Sequence, residues 1–242
     1  MAISWVANAE GSAINGGDIT ITLPTSSMQE GDVVIVTNTV PINSFVFSVT
    51  SSSTGTGYTQ IVPTVETSLM SFGVFRRIMG ATVDTQVRCL GSAVLADGDT
   101  AVVQIFRGVD QTTPEDVTPT STTGSGTTPN SPSITVANAN CAILTCVGAN
   151  ENDTAVTAPS SFLNQVDINA NDTDPTTSAM AWITHTSTSA FDPASWTSFL
   201  SSPWCSATVA LRPATDTPYG WAHGMLTTVS MNMKRPLRGV RY

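Results

Sequence analysis

Gly31-Asp32-Val33-Val34-Ile35-Val36 is the stretch that decides the fold class. Four branched apolar residues follow directly on a Gly-Asp pair. Branched side chains lose rotamer freedom in a helix and pack well on a pleated surface. A short apolar run bounded by turn residues therefore reads as a core strand. Glycine tolerates positive φ and aspartate bonds its own nearby backbone, so the pair sets a tight turn at the strand entrance. The device recurs where Asp97-Gly98-Asp99 precedes Val102-Val103-Gln104-Ile105-Phe106.

Working outward, short apolar runs alternate with clusters of Gly, Pro, Ser, Thr, Asn and Asp. They predict strands near 3–8, 18–23, 32–40, 44–50, 58–62, 70–79, 85–91, 100–108, 133–137, 141–148, 179–186 and 204–212. No segment keeps a 3.6-residue apolar period over three turns, so little helix is expected. Only 11% of the 242 residues are charged, against about 25% in ordinary soluble domains. Thr, Ser and Asn carry the surface instead. The expected fold is all-β, an antiparallel β-sandwich over residues 1–213 with an extended C-terminal arm over 214–242.

The chain also matches itself at an offset of 105–110 residues. Gly31–Val36 corresponds to Asn140–Thr145, Val49–Ser52 to Val156–Pro159, Met70–Val74 to Met180–Thr184, and Val102–Gly108 to Ala207–Pro213. Asp18–Leu23 has a partner at Ser133–Ala137. The halves run over about 1–109 and 133–213. Residues 110–132, rich in Thr, Ser, Gly and Pro, read as a loop joining them. Two small tandem sandwiches and one sandwich with interlocked halves both fit. The second is expected, because a single large sandwich leaves fewer sheet edges to protect.

Charge is unevenly spread. Residues 1–233 hold five arginines and all eighteen acids, a net of −13, whereas 234–242 hold Lys234, Arg235, Arg238 and Arg241 without an acid. An acidic body offers no clustered positive charge to a phosphate backbone, so no nucleic-acid contact by the body is expected. The arm lacks alternation, and prolines at 213, 218 and 236 interrupt any strand or helix. Tyr219, Trp221, Met225, Leu226, Met231, Met233, Lys234, Arg235, Arg238, Arg241 and Tyr242 are the expected partner-binding residues, laid on a neighbouring subunit.

Reactive chemistry is sparse. Cys89, Cys141, Cys146 and Cys205 lack zinc-site spacing, and 141 and 146 fall on opposite faces of one strand; all four are expected as buried free thiols. His185 reads as a strand residue and His223 as an arm contact. No Gly-x-Ser-x-Gly elbow or phosphate-cradling Gly-x-x-x-x-Gly-Lys occurs. The acidic pairs Asp97/Asp99, Glu115/Asp116, Glu151/Asp153 and Asp172/Asp174 fall in predicted turns, with calcium ligation as the functional alternative. Trp5, Trp182 and Trp204 are expected in the core, and Trp196 as an exposed aromatic. Neither a secretory leader nor an apolar run of about eighteen residues is present, so no membrane contact is expected. No catalytic residue, metal or cofactor is expected.

Four motifs carry a resemblance: Ser4-Trp5-Val6, Gly31-Asp32-Val33-Val34-Ile35, Phe106-Arg107-Gly108-Val109-Asp110 with Thr113-Pro114, and Trp204-Cys205-Ser206-Ala207-Thr208-Val209-Ala210-Leu211-Arg212-Pro213. Over about residues 2–213 the chain resembles phage and prophage virion structural proteins of the β-sandwich type. It departs from their pattern at Gly57-Tyr58, where they carry Gly-Trp. The resemblance implies a non-enzymatic structural subunit made in the host cytoplasm and located in the virion, as a capsid decoration or tail protein. Its partners would be other virion proteins and copies of itself. The alternative is a receptor- or glycan-binding appendage, with a host glycan as partner.

Overall fold

The structure is a computed structural model that describes residues 1–152 and 156–215. Among these residues all regular structure is strand. The first half contributes β1 (Ser4–Ala13), β2 (Ile19–Thr22), β3 (Val33–Val40), β4 (Val49–Ser51), β5 (Thr59–Glu66), β6 (Ser71–Ile78), β7 (Gln86–Cys89) and β8 (Asp99–Arg107). The second contributes β9 (Thr120–Gly126), β10 (Ile134–Thr135), β11 (Cys141–Ala149), β12 (Leu163–Ala170), β13 (Thr176–His185), β14 (Ala190–Phe191) and β15 (Ser202–Leu211).

Two five-stranded antiparallel sheets face each other. Their orders are β1-β8-β3-β6-β5 and β12-β13-β11-β15-β9. Val33, Ile35, Phe72, Val102 and Phe106 from the first sheet meet Leu144, Met180, Trp182, Val209 and Leu211 from the second in one apolar core. The Trp182 ring meets Phe106 edge-on at 5.5 Å between centroids. The fold is the all-β sandwich that the strand patterning predicts.

The four-residue apolar run in β3 has a direct cause. Val33 and Ile35 face the inter-sheet core, whereas Val34 and Val36 face a second cluster with Ile19, Ile21, Val87 and Ile105. That outer cluster is roofed by a three-stranded sheet, β2-β7-β4. Buried on both faces, β3 and β8 have no solvent side and so no reason to alternate. On the far side of the second sheet β10 and β14 pair over Cys141, Ile143 and Ala210.

Connectivity repeats. Replacing β1, β8, β3, β6 and β5 by β9, β15, β11, β13 and β12 converts one sheet order into the other. The β2–β7 pair likewise has a counterpart in β10–β14. The ladders set Val33 opposite Phe106 and Ala142 opposite Leu211, which matches the offsets read for those two segments. For the β6 segment the sequence match is displaced by four residues. Arg76 lies opposite Ile35 and Trp182 opposite Leu144, so Arg76, not Phe72, is the ladder equivalent of Trp182.

Residues 110–132 are not a plain loop. They contain β9, which pairs with β15 from Thr120–Thr208 to Gly126–Ser202 and stands where β1 stands in the first sheet. β9 hid because it carries no apolar side chain: its place is fixed by backbone pairing. The second half of the repeat therefore begins at β9, upstream of 133. The stretch 44–50 also departs from expectation, since only Val49–Ser51 forms a strand there.

Candidate functional site

β8 begins at Asp99 and ends at Arg107, so it marks the two ends of the sandwich. At the Arg107 end the closing segments of the two halves clasp each other. Val109 bridges Pro213, Asp110 N donates to Arg212 O at 2.9 Å, and Ala214 N donates to Gly108 O at 2.7 Å. The Met1 amino group donates to Ala214 O at 2.9 Å. Gly108 sits at φ +82°, and a Cβ there would lie 2.6 Å from Ala2 O. Glycine is required so that the N-terminal strand can cross this turn. An open depression of about 510 Å³ is lined by Met1, Ile3, Asn138, Asn140, Thr184 and Ala214, with Thr215 at its wall.

Ion pairs hold the clasp. Asp32 is fully buried and receives Arg107 through two bonds, Nε to Oδ1 and Nη2 to Oδ2, both 2.8 Å. Arg212 reaches Asp116 at 3.4 Å and donates to Thr113 Oγ1 at 2.7 Å. Burial alone would raise the Asp116 carboxyl, but bonds from Asn138 and Ala137 and the Arg212 head outweigh it and hold it low. Asp110 caps its own turn, accepting from Thr112 N at 2.8 Å and Thr113 N at 3.0 Å, and those bonds hold its carboxyl below the usual range. The Arg-Gly-Val-Asp, Thr-Pro and Leu-Arg-Pro motifs thus converge on a structural clasp.

The opposite end is acidic. Asp97 runs alongside Asp174, with Gly98 N donating to Asp174 O and Asp174 N to Ala96 O, each at 2.9 Å. Asp172 Oδ2 accepts from Asn15 N at 2.8 Å. Burial, then the neighbouring Asp174 and Asp172, raise the Asp97 carboxyl. Burial pushes Asp99 up to about 6 despite a bond from Ser92 N. No group of three or more His, Cys, Asp or Glu among the described residues is arranged to hold a metal ion. The loops of the two halves are bonded to each other here, with Asp172 Oδ2 and Asp99 Oδ2 accepting backbone amides, whereas Asp97 Oδ2 and Asp99 Oδ1 are buried without a hydrogen-bond partner among the described residues.

The remaining candidates divide. All four cysteines are buried and free. Cys141 faces the outer cluster and Cys146 the inter-sheet core, as opposite faces of β11 require. His185 lies near Ser187 Oγ at 3.2 Å and Ser189 Oγ at 3.3 Å, with its ring edge-on to Phe191 at 5.0 Å. Among the described residues no carboxylate bonds to that imidazole to orient it as a base.

Two tryptophan expectations are overturned. Trp196 is completely buried, its Nε1 donating to Thr145 Oγ1 at 2.9 Å. Ala149, Ala179 and Ala181 on the outer face of the second sheet leave space that the indole fills. Trp5 is 36% exposed, with Nε1 donating to Asn8 Oδ1 at 2.7 Å. It lies on β1, an edge strand, whereas Trp182 and Trp204 are buried as expected. Tyr219, Trp221, Met225, Leu226, Met231, Met233, Lys234, Arg235, Arg238, Arg241, Tyr242 and His223 all lie outside the described residues.

No family model, curated protein or solved structure matches this chain.

Proposed function

We propose that this chain is a non-enzymatic structural subunit of a phage particle, a capsid decoration or tail component, that works through subunit contacts and its C-terminal segment. The observation that supports this most is the clasp at Ala214. A backbone held by both Met1 and Gly108 fixes Ala214 on the sandwich, and 28 residues follow it in the chain. Those residues end in four cations, and the body they leave is acidic, so one copy's tail and another copy's body attract. The likeness of the closing Trp204–Pro213 block to virion proteins points the same way. Partners would be copies of the chain and other virion proteins.

Truncation after Thr215 tests this. The truncated body should fold with an unchanged melting temperature yet fail to enter particles or self-assemble. Incorporation equal to that of the full chain would remove the tail from the proposal. The glycan-binding alternative loses its leading aromatic with Trp196 buried; among the described tryptophans Trp5 is the exposed one left to it, beside the Asn and Asp loops. Specific binding of the isolated body to a glycan array, abolished by Trp5→Ala, would favour that alternative.

A further inference from the structure

Each sandwich sheet has two edge strands, and the four edges are treated differently. β1 carries a register shift between Trp5 and Ala7 and the charged Glu10. β5 carries shifts between Gln60 and Val62 and between Val62 and Val65, with Pro63 and Glu66 in the strand. β12 carries a shift between Leu163 and Val166 and the charged Asp167. Bulges, charges and proline are the devices by which natural sheets stop their edges from recruiting another strand. The β1 and β12 edges are also tied to each other, with Asn8 Nδ2 donating to Asn164 O at 3.3 Å.

β9 has none of these devices. Its pairing with β15 runs in unbroken register over seven residues, Thr120–Gly126. It contains no proline and no charge, and residues 117–150 around it hold no charged side chain at all. Ser121, Thr123 and Ser125 are exposed, and among the described residues no backbone bond is made on the side away from β15. A regular, uncharged strand with its outer amides and carbonyls open is a template for one more strand.

Building on the reading of the chain as an assembly subunit, we infer that β9 is a homotypic docking edge that pairs antiparallel with β9 of a second copy. Charge selects this occupant. Two bodies that each carry a large negative charge repel over most of their surface, and β9 offers a sheet edge of seven residues that carries no charge. Thr123 is the middle residue of the strand. An antiparallel pair centred there sets Ser121 against Ser125 and Thr123 against itself, small hydroxyl pairs of the kind that support cross-strand contact. The two second-half sheets then join into one continuous ten-stranded sheet.

The full-length chain can be tested by sedimentation across a concentration series, with Thr123→Lys as the blocked edge and Thr123→Cys as a cross-linking probe. The native cysteines are all buried, so Cys at 123 is the reporting thiol. The wild type should form a dimer. Thr123→Lys should raise its dissociation constant about tenfold or more, without loss of melting temperature. Thr123→Cys should cross-link under mild oxidation much faster than Thr82→Cys, which places the thiol in an exposed bend elsewhere. Self-assembly that survives Thr123→Lys unchanged overturns the β9 edge while leaving the subunit reading intact. A wild type that stays monomeric at every concentration and is absent from particles overturns both. A dimer seen only after removal of 216–242 overturns the inference too, since the edge would then be covered by the chain's own tail.

Discussion

Arg107 grips the buried carboxylate of Asp32 with two parallel bonds of 2.8 Å, and so ties the entrance of β3 to the exit of β8. Gln29 N adds a third bond to Asp32, and Arg107 Nη2 also reaches Ser27 O at 3.0 Å. The Gly-Asp turn and the Arg-Gly turn, separated by 75 residues, are thus one unit. Removing the arginine strands an ionised carboxylate in the interior, whereas removing the aspartate leaves a partly exposed guanidinium that water can solvate. Arg107→Ala should therefore cost about 2–3 kcal/mol, and Asp32→Asn less. Arg107→Lys should recover only part, because an ammonium cannot reproduce the planar fork. Urea unfolding midpoints decide this; equal losses for both partners would contradict it.

The thiols give a second expectation. Burial pushes Cys89, Cys146 and Cys205 up to about 12, and burial followed by the nearby Asp116 charge does the same for Cys141. Only the thiolate attacks, so none should react with a disulfide reagent at neutral pH while the chain is folded. In denaturant four equivalents should titrate. Rapid modification of even one thiol in the native protein would show that its strand opens.

What was legible in the sequence followed from side-chain chemistry. β3, β8, β11 and β15 were visible because their apolar runs reflect burial on both faces. β9 was invisible because a Thr-Ser-Gly edge strand is specified by its partner's backbone, whereas Val166, Ile168 and Ala170 of β12 do alternate with Asp167 and Asn169 as on a half-buried strand, a short signal set among polar neighbours. The exchange of roles between Trp5 and Trp196 has the same origin. Local sequence shows a strand or a loop, but not which strand lies at an edge or which loop folds over a bed of alanines. Ala149, Ala179 and Ala181 were the signal for a large guest, readable only once β11 and β13 were known to be adjacent. The site expected in the tail lies outside the described residues. The segment just before it was legible in part, as the Leu-Arg-Pro motif that forms the clasp.

Gly124 tests how β9 is seated. A Cβ at this position would stand 2.2 Å from Cζ2 of Trp204, in the body of a buried ring that has no free path outward. Gly124→Ala should force β9 and β15 apart locally and cost about 1–3 kcal/mol. The tryptophan near-ultraviolet signal should change with it. Gly126, where nothing lies within 4 Å of the added atom but φ is +117°, should suffer from backbone strain without that spectral change. Identical spectra for the two variants would mean that the ring does not rest on the strand.

Asp99 predicts the pH response. Its carboxyl titrates at about 6 in the fold against an ordinary 3.8, raised first by burial and then by the charge of Asp97. Below the ordinary value the group is protonated in both folded and unfolded chains and imposes no penalty. As pH rises through about 6 the folded chain must ionise a buried carboxyl, so the stability present in acid is lost. Asp97, raised by burial and its own acidic neighbours, acts in the same direction. Asp18, Asp110 and Asp116 are held low and act oppositely, but their loss of stability falls below the ordinary carboxylate value, outside this window. Asp99→Asn stays neutral throughout and keeps an oxygen for Ser92 N. Its melting temperature relative to wild type should therefore climb between about pH 4 and pH 7 and level off above that range. A constant difference across the range would mean that Asp99 titrates normally and that the acidic end is wetter than its burial implies.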